Sequence, residues 1–247
     1  MSPIKQNCNE VFVTFCVDTE GPLYESTEAK FERLSDLYGI RGIEFTDENL
    51  EKLKIGSIDL GGIEQQVTRT LSDHLSKYNE SWDQINEMLD RVTSTAFRES
   101  HPDSYGNGWI YNWFCLDHVG YKNNPRRRAL GFNVVYDHYF NYLNAKGCDQ
   151  DRIEWHYHPM STYRDAHRCA TKYFGSPELD QILCRKIIDR SFFPSAFRAG
   201  FQAERPDSHW FLEQYIPFDI SNMSTEDNSD LDGSVDFRNG RSGDWRL

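Results

Sequence analysis

The chain has 247 residues, 38% of them hydrophobic and 14% aromatic, enough apolar material for one substantial core and too much for a disordered chain. Acidic side chains outnumber basic ones 39 to 27, a net charge of −12, which argues against a general nucleic-acid or anionic-membrane partner. No run approaches the roughly 20 apolar residues of a membrane span, and the apolar run Val11–Val17 is too short for a signal peptide and ends in acid.

Apolar runs of strand type alternate with segments of helical period, the pattern of an α/β fold built on a mostly parallel sheet. The first strand is predicted over 11–17, followed by a polar stretch. Ser81, with Gln84 three residues on, predicts a capped helix whose apolar face is Trp82, Ile85, Leu89 and Val92. A second strand is expected over 109–116, a helix over 134–143 and a third strand over 152–157. Ser176 and Pro177 open a helix to about Arg190 with Leu179, Ile182, Leu183 and Ile187 on one stripe. A fourth strand fits 195–201, a short helix 206–215 and a fifth strand 217–221. The whole is expected to be a single domain over 1–247, with 223–247 a loop-rich acidic tail. The stretch from Asp227 to Gly233 has the acidic alternation of a calcium loop. Asn239 falls where a closing Glu belongs, so a solvated loop is the better reading.

Six cysteines, at 8, 16, 115, 148, 169 and 184, show no Cys-x-x-Cys spacing, which favours reduced thiols and a cytoplasmic location. Arg126-Arg127-Arg128, the one basic run, reads as a solvated turn. No Gly-rich phosphate loop, serine nucleophile elbow or zinc-protease helix motif is present.

Chemistry gathers at the predicted C-terminal strand ends, the edge where parallel α/β folds build their sites: Asp18 and Glu20, Asp117 and His118, His156 and His158, Arg198, and Asp219 with Ser221. Residues two apart in a strand share a face, so Asp18 and Glu20 can present two carboxylates and His156 and His158 two imidazoles. Two imidazoles and a carboxylate with a position left open make a hydrolytic zinc site. Each residue also has a structural reading, as a helix cap, a core ion pair or a packed histidine. His138 is expected to be packed or hydrogen-bonded, and Trp113, Trp155, Tyr157, Phe201 and Trp210 to be core rather than sugar platforms.

Thr14-Phe15 with Asp18-Thr19-Glu20, then His156-Tyr157-His158-Pro159, Phe197-Arg198-Ala199-Gly200 and Phe218-Asp219-Ile220-Ser221 resemble, in order, the motifs of the polysaccharide deacetylase superfamily of carbohydrate esterase family 4 type. The resemblance covers about residues 10–222 and is nearest to the branch found with bacterial surface-polysaccharide (lipopolysaccharide-type) biosynthesis. It implies a distorted (β/α)7 barrel, incomplete at the C-terminus if the chain is a piece of a longer protein. It also implies one divalent metal, zinc being the natural ion, and removal of N-acetyl groups from a sugar or glycan substrate. Asp18 would be the general base, Glu20, His156 and His158 the metal ligands, Arg198 the residue that orients the base, and Asp219 and Ser221 part of the groove.

Two departures qualify the match. Most members space the metal histidines four apart, and the late leucine-histidine motif that supplies a general acid has no counterpart after Ser221. Three readings therefore stay open: the chain is a fragment, His118 is the acid, or the site is catalytically weak. Asp117 is a candidate for substrate binding, and the roles of Asp18 and Glu20 could be exchanged. The rival functions are a same-fold amidohydrolase acting on a non-sugar amide and a degenerate domain that binds glycan or a partner without turnover. The sequence leaves the oligomeric state open.

Overall fold

A five-stranded parallel sheet in the order β1-β2-β3-β4-β5 organises the protein, with β1 at Cys16–Thr19, β2 at Asn112–Asp117, β3 at Arg152–Tyr157, β4 at Ala196–Ala199 and β5 at Phe218–Asp219. The computed structural model describes residues 11–121, 123–124, 126–158, 178–200, 203–204 and 214–223. The expected Ser176–Pro177 helix start, residues 206–213, Phe201, Trp210 and the tail from 224 lie outside them. A two-residue strand at Asn222–Met223 pairs in parallel with Ala203–Glu204. None of the described helices is long and apolar enough to cross a membrane.

The α/β class and the parallel sheet are as expected, and β3 matches its predicted span. The first strand does not. Val11 and Phe12 are 88% and 87% exposed, and pairing begins only at Cys16. The polar stretch after β1 is largely helical: α1 at Thr27–Tyr38, α2 at Asp47–Lys54, α3 at Glu64–Thr70 and α4 at Asp73–Ser76. Ser26 and Thr46 cap α1 and α2 by accepting from the third N–H along, and Asp47 and Glu48 against Lys52 and Lys54 complement the α2 dipole. These helices bury their own small core of Phe31, Leu34, Leu53, Val67 and Leu71.

Helix α5 at Trp82–Val92 begins as predicted, with Ser81 Oγ accepting from Gln84 N while the Gln84 side chain accepts from Glu80 N. A short α6 at Thr95–Glu99 leads to β2, α7 at Val134–Lys146 joins β2 to β3, and α8 at Glu178–Arg190 precedes β4. Strand alternation then divides the sheet by chemistry. On one face, Trp113 and Cys115 pack with Ile85 and Leu89 of α5 and Val135 and Tyr139 of α7. Farther along that face, Trp155, Tyr157, Phe197 and Ala199 pack with Leu179, Ile182 and Leu183 of α8. Trp113, Trp155 and Tyr157 are thus core, as expected. His138 is packed too, stacking on Trp82 at 4.0 Å and bonding Asn86 at 2.9 Å.

The N-terminal end of the sheet is closed by a buried ion pair. Arg98 of α6 donates through both Nη atoms to Asp151, each at 2.8 Å, and Asp151 also accepts from Tyr111 N at 3.2 Å and Trp113 Nε1 at 3.0 Å. Every lone-pair direction of this carboxylate points at a donor, so a charge with no solvent exposure is tolerated there.

Candidate metal centre

The sheet face away from α7 and α8 carries Asp18, His156 and Arg198 at its C-terminal edge, with Glu20, His118 and His158 just beyond the strands. The register explains the grouping, since Leu116 pairs with His156 and His156 with Arg198, so side chains two apart along β1 and β3 rise from one surface. Glu20, His156 and His158 each offer a ligand atom within 4.8 Å of the others. The two Nε2 atoms are 3.1 Å apart, and His158 Nε2 lies 3.7 Å from Glu20 Oε1. Tetrahedral bonds of about 2.0–2.1 Å place donor atoms about 3.3 Å apart, so these spacings suit a small divalent ion.

The protonation pattern suits it as well. His156 Nδ1 donates to the Arg198 carbonyl at 2.8 Å, which orients the ring so that Nε2 faces His158. Burial, reinforced by the neighbouring His156, pushes His158 well below the ordinary histidine range, so it is neutral at pH 7. Burial would raise the Glu20 carboxyl, but the charge of Arg128 outweighs it, and the group is held well below the usual carboxylate range. His158 and Glu20 are thus held in the forms that a metal accepts, a neutral imidazole and an ionised carboxylate.

Asp18 stands beside this group and is gripped separately. Arg198 donates from Nε to Oδ1 at 2.7 Å and from Nη2 to Oδ2 at 3.3 Å, and His156 Nδ1 is 4.0 Å from Oδ1. The two acids, interchangeable in the sequence, are thus separated by geometry: Glu20 lies with the histidines and Asp18 with the arginine. Arg198 is itself held by Nη1 donating to the Ile220 carbonyl at 2.8 Å. Asp219 and Ser221, expected in the groove, shape that support. Ser221 Oγ accepts from Ala199 N at 2.7 Å, and Asp219 Oδ1 accepts from Ser221 N at 2.9 Å.

Two glycines let the backbone come this close. Gly21, at φ +71°, turns the chain immediately after Glu20, and a Cβ there would stand 3.1 Å from the Trp82 ring. A Cβ on Gly200 would lie 2.8 Å from His158 Cγ and 2.9 Å from its Cα, a clash with ring and backbone alike. Gly200→Ala is expected to displace the His158 imidazole and weaken zinc binding at least tenfold, as read by isothermal titration against the folded variant.

The two candidates at the β2 end lie on opposite faces of the sheet. Asp117 points to the opposite, helix-covered face, where its carboxylate pairs with Lys186 of α8 at 3.0 Å; burial pushes its carboxyl up to about 6 while Lys186 pulls it down. A group 3% exposed on the wrong side of the sheet is not placed to bind substrate beside the histidines. His118 is on the right face but only 1% exposed, with Nε2 against the Glu20 carbonyl at 3.3 Å. Burial, with Arg128 adding, pushes it down to about 3. It braces the Glu20 backbone.

The basic run departs from the expected solvated turn. Arg126 and Arg128 are buried, at 4% and 7% exposure, and only Arg127 faces solvent, its guanidinium 4.0 Å over the Tyr24 ring. Arg126 pairs with Glu25 at 3.2 Å, which Arg33 of α1 also meets at 3.2 Å, and Arg128 pairs with Glu20. Arg128 is the site residue that sequence reasoning missed. Its one signal was position, a cationic run in an acidic chain shortly after a strand end that carries site residues. Comparison of the chain with protein-family models, with curated proteins and with solved structures gives no match to any of them.

Proposed function

We propose that this protein is a metal-dependent hydrolase that removes the N-acetyl group from a sugar or glycan precursor, on a barrel of polysaccharide deacetylase type. The observation that carries the reading is the convergence of Glu20, His156 and His158 on one small volume beside an arginine-clamped Asp18. A divalent ion held by those three ligands, zinc being the one the donors suit, would polarise an amide carbonyl and acidify a water. Asp18 accepts the water proton at a carboxylate oxygen, kept in position by the two Arg198 contacts. The water oxygen bonds to the acyl carbon, the C–N bond breaks, and the proton passes from Asp18 to the departing amine, giving acetate and a free amino sugar. With His118 turned onto backbone, Asp18 is the described group able to serve as both base and acid.

Cys16, Cys115, Cys148 and Cys184 are free thiols, in keeping with work in a reducing, cytoplasmic setting. The burial of His118 also favours a second reading, a glycan- or partner-binding domain without turnover. One experiment separates them: zinc content by elemental analysis together with acetate release from N-acetylated sugars, nucleotide sugars and simple acetamides, with and without chelator. The expected result is about one zinc per chain and chelator-sensitive release from sugars, lost in Asp18→Asn, which keeps its zinc. Release from acetamides alone would point to the non-sugar amidohydrolase, zinc without release to the binding domain, and no zinc would overturn the site.

A further inference from the structure

The β2–α7 connection is tied to Glu20 at two separate points. His118 meets the Glu20 backbone carbonyl from one end of this connection, and Arg128 meets its carboxylate from the other. The connection is closed on itself around Arg128: Gly131 N donates to the His118 carbonyl at 2.6 Å in an antiparallel bridge. Asn124 holds Arg128 by both backbone groups, Oδ1 accepting from Arg128 N and Nδ2 donating to Arg128 O, each at 2.8 Å. Arg126, two residues before, anchors the same loop to the buried Glu25, while Tyr24 N donates to the Arg126 carbonyl at 3.0 Å. The Arg128 guanidinium is therefore delivered by a braced loop and not by a wandering surface chain.

Arg128 Nη1 sits on Oε2, whereas the oxygen that faces His158 Nε2 is Oε1. Carboxylates bind metals through one oxygen or two, and a guanidinium that occupies one lone-pair set decides between them. We infer that Arg128 is a positioning residue for the metal site: by holding Oε2 it makes Glu20 a one-oxygen ligand, leaving the ion's remaining positions to water and the acyl oxygen. This rests on the reading of Glu20, His156 and His158 as a metal triad. It goes beyond that triad in adding a cationic partner that sets how one of its members binds.

The test uses the full chain, zinc titration calorimetry and the visible spectrum of the cobalt-substituted protein, whose intensity follows coordination number. Arg128→Met is expected to weaken zinc binding about 10–100-fold, the usual effect of losing a partner behind a metal ligand. It should also dim the cobalt bands as Glu20 becomes free to bind through both oxygens. Arg128→Lys restores the charge but only a single donor, and should fall between wild type and Arg128→Met. Asn124→Ala, which leaves every charge in place and loosens the loop, should weaken zinc binding several-fold and serves if the buried Arg128 variants fail to fold. Wild-type affinity and an unchanged cobalt spectrum in whichever of these variants fold would overturn the role of Arg128 while leaving the triad standing. A wild-type chain that binds no zinc would instead overturn the triad itself.

Discussion

Replacing both His156 and His158 by alanine is expected to leave a folded chain with no stoichiometric zinc and with acetate release at background. Their two Nε2 atoms, 3.1 Å apart, supply two of the three donors, and a single carboxylate in water-accessible surroundings does not retain a divalent ion at micromolar concentration. The His156 ring also donates to the Arg198 carbonyl, so its loss removes one bond near the Asp18 clamp as well. His156→Gln tests that contribution, because an amide at this position can still donate while lacking the imidazole ligand. A loss of at least 10³-fold in turnover is expected for the double variant, in line with removal of both an electrophile and its bound water. Elemental analysis reads the metal, circular dichroism the fold, and a full equivalent of zinc in the double variant would refute the ligand assignment.

At the other end of the sheet, Asp151→Ala is expected to be the most destabilising single change away from the site. It strips four donors of their acceptor, two on Arg98 and one each on Tyr111 and Trp113, and leaves a guanidinium only 7% exposed without its countercharge. Breaking a buried pair in this way costs about 3–5 kcal/mol, which lowers the Tm of a chain this size by roughly 10 °C. Zinc affinity of the protein that remains folded should be unchanged, because nothing in this network reaches the C-terminal edge. Chemical denaturation and calorimetric zinc titration, run on the same sample, separate the two effects.

Legibility in the sequence followed the strength of the periodic signal. Arg152–Tyr157 was read to the residue because its alternation is uninterrupted, and α5 because a cap, a capping-box partner and an apolar face coincide at Ser81, Gln84 and Ile85. Residues 27–76 hid four helices because the fully buried positions are few and widely spaced; Phe31, Leu34, Leu53, Val67 and Leu71 come from different helices and are completed by loop residues such as Ile43, Ile58 and Leu60. The caps at Ser26 and Thr46 and the acidic-to-basic gradient of α2 were the available clues. Val11–Val13 misled in the opposite sense, being strand-like in composition but exposed, since propensity does not supply a pairing partner.

In the site, two-residue spacing in a strand fixed which side chains could meet, and it brought Glu20, His156 and His158 together. The same rule separated Asp117 from His118, because neighbours on a strand point to opposite faces, although both had been drawn to one edge. What spacing could not show was the tertiary partner. Arg128 reaches Glu20 across 108 positions of sequence, and Lys186 reaches Asp117 across 69.

The long helical excursion between β1 and β2 also bears on how the protein comes to be folded. Thr19 and Cys115 are neighbours in the sheet yet 96 positions apart, whereas among the described residues one helix, α7, lies between β2 and β3 and one, α8, between β3 and β4. Closing that excursion is the costlier step in chain entropy, so β1 is expected to join after the other strands have paired. Asp18 and Glu20 would then arrive last, at a surface already carrying His156, His158 and Arg198. An ion bound by Glu20 together with the two histidines therefore fastens the last strand to the rest, and zinc should slow the detachment of β1 more than it slows exchange of the β2 and β3 amides.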